Sequence, residues 1–339
     1  VLDIIHQQEA CVEYFNLNGT SVSRIGLGTW AIGGDAWGDV SDDEAVATCL
    51  SVFDHGINLI DTAPIYGRGR AEQIVGEAVR QHGRRDAFYI ATKAGLDWRE
   101  DGVFANSTPA RLRQELEASL TRLGTDSIDL YQIHWPDTAL PIETAAAEML
   151  KFYQEGKIRA IGVSNFSAGQ MEAFCSVAPL HSNQPPYNLF ERAIDTEVLP
   201  YCHRNSIAVL TYSSLCRSLL AGRLRPDTKF AAEDVRRVDP KFQQPRFGQY
   251  LAAVAKLDDF ARERYGKSVL HLAVRWVLDQ PGVSAALWGG KRPEQLAVVD
   301  EVFGWKLDGP ALAAVERIVD ETVLDPVGPE YLTPARRVV

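Results

Sequence analysis

The feature that most limits what this chain can fold into is a regular alternation of short apolar runs with longer amphipathic stretches. The apolar runs fall at 24–29 (RIGLGT), 57–62 (INLIDT), 87–93 (AFYIATK), 128–134 (IDLYQIH), 158–164 (IRAIGVS), 182–186 (SNQPP), 207–213 (IAVLTYS) and 284–289 (SAALWG). Between them lie helical patterns such as TPARLRQELEASLTRLG, where Thr108 can cap, Pro109 suits the first helical position and Gly124 can close the end. Eight strands alternating with helices predict an α/β fold, a closed parallel (β/α)8 TIM barrel; a doubly wound open sheet is the alternative. The sixth run is the weakest, because Pro185 and Pro186 cannot donate ladder hydrogen bonds.

At 339 residues the chain fits one barrel domain with insertions, and no boundary divides 1–339. An N-terminal extension is expected over 1–10 and a β-hairpin over 11–23, turning at Asn18-Gly19. A long excursion at 216–247 reads as a functional flap or a disordered segment. The tail spans 324–339. A net charge of −10 argues against nucleic acid or an anionic membrane as the main partner. No apolar run of about 18 residues could span a bilayer, and no basic-then-apolar leader opens the sequence. Five widely spaced cysteines without a C-x-x-C pair suggest reduced thiols and a cytoplasmic protein.

In a barrel of this kind, reactive groups gather at the carboxyl ends of the strands. Asp61 ends the second run, Lys93 the third and His134 the fourth, so all three should face one mouth, with Tyr66 leaning over it from the following loop. Lys93 is then the cation that meets Asp61. A lysine beside a tyrosine hydroxyl favours the phenolate, so the proton on Tyr66 should leave more easily than from a free phenol of pKa about 10. His134 could hydrogen-bond the same oxygen. Taken singly, each has a plainer reading: a salt bridge, a loop histidine, a turn tyrosine. Their convergence favours a general acid suited to protonating a carbonyl oxygen. No H-x-H or carboxylate-histidine cluster offers three metal ligands, which speaks against a metal-dependent hydrolase or isomerase.

The stretches NLIDTAPIYGRGRAEQIVGEAV, ATKAG, LGTDSIDLYQIHWPD and GKIRAIGVSNFS make the chain resemble the aldo-keto reductases, from about Arg24 to Val323. GTWAIGG, SNQPPYNLFER and SLLAGR are most similar to bacterial members that include NADP-dependent glycerol dehydrogenases and inositol-related reductases. The resemblance implies Asp61, Tyr66, Lys93 and His134 as the catalytic tetrad, with Tyr66 as acid/base. It also implies a nicotinamide cofactor: the carboxamide against Ser164, Asn165 and Gln184, the ring on Tyr212, and the pyrophosphate near Ser213, Leu215 and Arg217. GGKRPEQ at 289–295 supplies a phosphate end, with Gly289, Gln295 and the charges of Lys291 and Arg292 favouring NADP(H). Trp30, Trp37 and Trp135, with Trp98 nearby, would wall a mouth for small aldehydes or polyols. The expected partner is thus a small carbonyl or alcohol. The resemblance also admits a slow, redox-sensing regulatory subunit of the potassium-channel β type.

Three positions depart from the family pattern. Val298 and Val299 stand where many relatives carry a Glu-Asn pair for adenine, Ser218 replaces a common flap glycine, and Ser214 replaces Pro or Ala.

Overall fold

The computed structural model describes residues 12–99 and 102–335. The expected extension over 1–10, Cys11 and the last four residues of the tail lie outside the described residues. Strands β1 (Tyr14–Leu17) and β2 (Thr20–Ser23) form the hairpin, pairing Leu17 with Thr20 across Asn18 and Gly19, both at positive φ (48° and 86°). That conformation at both central residues is what an Asn-Gly turn supplies at low cost.

Eight strands close into a parallel barrel: β3 (Ile25–Gly28), β4 (Leu59–Asp61), β5 (Tyr89–Ala94), β8 (Leu130–Ile133), β9 (Ile161–Ser164), β10 (Ser182–Gln184), β11 (Ala208–Thr211) and β12 (Val283–Gly289). β12 pairs back onto β3, and β9 onto β10. Each expected run is present, most trimmed at their ends, while β5 runs on to Ala94 and β12 starts at Val283. The sixth stops at Gln184, before the two prolines. Strands such as LYQI are buried along their whole length, because one face meets the barrel interior and the other the surrounding helices. Leu17 and Val22 of the hairpin pack with Leu59, Tyr89 and Leu130, which open their strands. The hairpin therefore plugs the amino end of the barrel, each side chain contributing about 1.5–3 kcal/mol by burial, and the carboxyl end is left for the site.

Two features differ from expectation. A second hairpin, β6 (Leu96–Arg99) with β7 (Gly102–Ala105), follows β5 and rises over the mouth. Thr108 precedes the helix Pro109–Leu123, but its hydroxyl donates to Asn106 Oδ1 (2.9 Å) instead of capping; Pro109 and Gly124 (φ 63°) play their expected parts. Residues 216–245 contain three short 3-10 turns and lead into the helix Arg246–Tyr265. Val235 N within this flap donates to Ala36 O at 3.2 Å, tying it to the loop after β3. Across the mouth, Ala335 N of the tail donates to Val103 O on β7 at 3.1 Å. Among the described residues no helix is long and apolar enough to cross a membrane.

Candidate active site

Asp61 is the last residue of β4 and only 2% exposed, a costly place for a carboxylate. Lys93 on β5 answers it: Nζ lies 2.6 Å from Asp61 Oδ1, and also donates to Thr62 O at 3.0 Å. The other oxygen, Oδ2, accepts from Gln184 Nε2 at 2.8 Å and Gln132 Nε2 at 3.4 Å. A buried pair is tolerable when its remaining valences are met in this way. Lys93 Nζ then reaches Tyr66 OH at 3.3 Å.

Tyr66 is fixed by its backbone. Gly33 and Gly67 approach so closely that a Cβ on Gly33 would lie 2.7 Å from the Tyr66 carbonyl carbon and from Gly67 N. The Tyr66 ring stacks on Trp30 (centroids 6.3 Å apart) and meets His134 edge-on at 5.9 Å. Asp61, Tyr66, Lys93 and His134 thus come together at one mouth.

The expected easing of the Tyr66 proton does not hold. Burial and then the Asp61 charge push the phenol well above its ordinary pKa. Burial lowers the Lys93 pKa, opposed by Asp61. The Asp61 carboxylate that pairs with Lys93 offsets the lysine's charge at the phenol. His134 falls well below the ordinary imidazole value, through burial and then the Lys93 cation. At neutral pH the mouth therefore holds a neutral phenol and a neutral imidazole.

A cavity of about 540 Å³ runs from this mouth, a size typical of ligand sites. Trp30, Trp37 and Trp135 line it; Trp98 does not, and packs under the Arg111 guanidinium (5.3 Å). Ser164, Asn165, Gln184 and Tyr212 form a polar wall in which Ser164 Oγ donates to Gln184 O (2.7 Å) and Tyr212 OH to Asn165 Oδ1 (3.0 Å). Further along, Ser213, Cys216, Arg217 and Ser218 all have positive φ. Such a cluster in non-glycine residues marks a backbone held for a purpose. Among the described residues no protein acceptor meets the backbone N–H of Leu215, Arg217 or Ser218, and the buried Ser214 Oγ, in the cavity wall, has no hydrogen-bond partner there either.

Gly289, Lys291 and Gln295 line the far end. Lys291 Nζ donates to Trp37 O (2.8 Å) and Gly38 O (3.2 Å), and Gln295 Oε1 accepts from Lys291 N (2.8 Å). Arg292 lies outside the lining, 3.1 Å from Glu44 Oε1. Arg236 of the flap, absent from the sequence expectations, lines the cavity and sits over Trp37 at 5.4 Å. Val299 is fully buried and Val298 packs against the core, so these two serve packing. Among the described residues no cluster of three or more metal-ligating side chains occurs.

A neutral phenol beside a buried lysine-carboxylate pair, at the mouth of a closed barrel, defines a class of barrel oxidoreductases. The chain belongs to the aldo/keto reductase family, whose model matches residues 24–320. It is 52% identical to the aldo-keto reductase YhdN of Bacillus subtilis, over 96% of this chain and 99% of that protein. Its identity to the NADH-specific methylglyoxal reductase of Escherichia coli is 35%, over 81% and 88% respectively. Among solved structures, the glycerol dehydrogenase AKR11B4 from Gluconobacter oxydans superposes with a TM-score of 0.86 at 49% identity, covering 94% of this chain and 99% of that one. An aldo-keto reductase from Klebsiella pneumoniae in complex with NADPH gives 0.71 at 29% identity, covering 97% and 99%.

Proposed function

We propose that the protein interconverts small aldehydes or ketones and their alcohols, glyceraldehyde and glycerol or other polyols among them, using NADP(H), with Tyr66 as acid/base. The observation that carries this reading is the placement of Lys93 Nζ between Asp61 and the Tyr66 hydroxyl, both of which line the cavity.

The residues present fit a dinucleotide. Ser164, Asn165 and Gln184 offer amide and hydroxyl groups for a carboxamide, and Tyr212 an aromatic face for a flat ring. The N–H groups of Leu215, Arg217 and Ser218 and the Ser214 hydroxyl, none of which has an acceptor or partner among the described residues, suit a pyrophosphate. Lys291 and Arg236 bring positive charge to the far end, which favours the 2′-phosphate of NADP(H). The likeness to an NADPH complex supports this preference, and the NADH-specific relative makes it worth measuring.

When bound, the reduced nicotinamide supplies a hydride to the carbonyl carbon. Tyr66 gives its phenolic proton to the carbonyl oxygen, and Lys93, 3.3 Å away, stabilises the phenolate left behind. Asp61 holds Lys93 in place, and neutral His134 orients the oxygen. For alcohol oxidation Tyr66 takes the proton back. Trp30, Trp37 and Trp135 hold the substrate's carbon skeleton.

The test is a fluorescence titration with NADPH and NADH, then steady-state turnover with glyceraldehyde, aliphatic aldehydes and glycerol. Tighter NADPH binding and turnover of a small carbonyl are expected. Tight NADPH binding with negligible turnover across the panel would favour a redox-sensing subunit instead.

A further inference from the structure

Four buried charges join the flap to neighbouring segments. Arg217 donates through Nη2 to Glu191 Oε1 (2.5 Å) and through Nε to Asp239 Oδ2 (2.8 Å). Lys241 Nζ lies 2.8 Å from the same Glu191 oxygen. All four side chains are at most 1% exposed, so two cations balance two carboxylates out of water. Such a set tolerates little rearrangement, because freeing one member leaves another uncompensated.

The C-terminal tail enters this set at Tyr331. Its hydroxyl donates to Asp239 Oδ2 at 2.9 Å, the oxygen that also accepts from Arg217 Nε, and its ring lies against the Arg217 guanidinium at 5.3 Å. Lys241 Nζ adds a hydrogen bond to Gly328 O at 3.1 Å. Beyond Tyr331 the tail crosses the cavity: Leu332 and Pro334 line it, and Ala335 N is bonded to Val103 O, itself in the lining. Arg217 meanwhile faces the cavity on its own account and donates from Nη1 to Ser213 Oγ at 2.8 Å. One guanidinium thus touches both the wall proposed for the pyrophosphate, at Ser213, and the root of the tail that roofs the substrate end, at Tyr331.

We propose that Tyr331 is a positioning residue that couples the tail over the substrate end to the flap over the cofactor end. Filling either end then seats the other. The inference rests on the NADP(H) reading above. The coupling acts both ways, because linkage between two binding events is reciprocal.

Tyr331→Phe tests this, since it removes one hydrogen bond and keeps the ring. In wild type, hydrogen exchange at 328–335 should slow on addition of saturating NADPH. In Tyr331→Phe that slowing should be lost, NADPH dissociation followed by stopped-flow fluorescence should quicken about tenfold, the scale of one hydrogen bond to a charged acceptor, and KM for glyceraldehyde should rise while kcat does not fall. NADPH dissociation within twofold of wild type would overturn the coupling and leave the cofactor reading intact. Wild-type protein that bound neither NADPH nor NADH would sink the cofactor reading and this inference with it.

Discussion

Tyr66 accepts a hydrogen bond from the Lys93 ammonium at 3.3 Å, and still its proton is held more tightly than in a free phenol. The consequence is a pH profile. With the folded pKa raised, Tyr66 stays protonated past about 10, the value for an unperturbed phenol. The reductive kcat/KM should therefore show no descending limb from Tyr66 between pH 7 and 9. A phenol acidified by lysine, as the sequence suggests, would give a limb within that range.

His134 makes the complementary prediction for stability. Its folded pKa is depressed, so it is neutral in both states above about 6.5, while below that value the unfolded chain takes up a proton that the folded one refuses. Stability should fall with pH below about 6.5, by up to roughly 1.4 kcal/mol per unit from this group. Urea unfolding of wild type and His134→Asn across pH 5 to 7 isolates the effect as a difference in slope; equal slopes would refute it.

Asp61→Asn leaves the Lys93 ammonium in a dry site without its carboxylate. Loss of one member of a buried pair costs about 3–5 kcal/mol, and the urea midpoint should drop accordingly. A change under about 1 kcal/mol, the scale of an exposed pair, would mean that the two charges are hydrated in solution.

Gly33→Ala tests how Tyr66 is placed. The added methyl would press on the Tyr66–Gly67 peptide from 2.7 Å, and a shift of about 1 Å in a reacting group can cost roughly 100-fold in rate. Turnover should fall at least tenfold while circular dichroism shows the fold retained. Undiminished turnover would show that the close backbone approach does not set the position of Tyr66.

The barrel was legible because its signal is local: each strand is a short apolar run, and Asp61, Lys93 and His134 mark the ends of three consecutive ones. What sequence could not supply was long-range pairing. Arg217 is expected near the pyrophosphate, but its charge is shared with Glu191 and Asp239, partners 26 and 22 residues away that nothing local in the sequence announces. Gln132 in LYQI was a polar residue in an apolar strand, the one hint that something buried needed an amide, and it reaches Asp61 from 71 residues on. The Tyr66 acidity failed for a similar reason, because the sign of the shift depends on burial as well as on the neighbouring charge.

The central claim is that Tyr66 delivers the proton, and Tyr66→Phe tests it most directly. The measurement is steady-state oxidation of NADPH by glyceraldehyde, with NADPH affinity measured alongside. The account predicts NADPH binding within about twofold of wild type and turnover lower by roughly 100-fold or more, the usual worth of a positioned general acid. Turnover within a few-fold of wild type would contradict it.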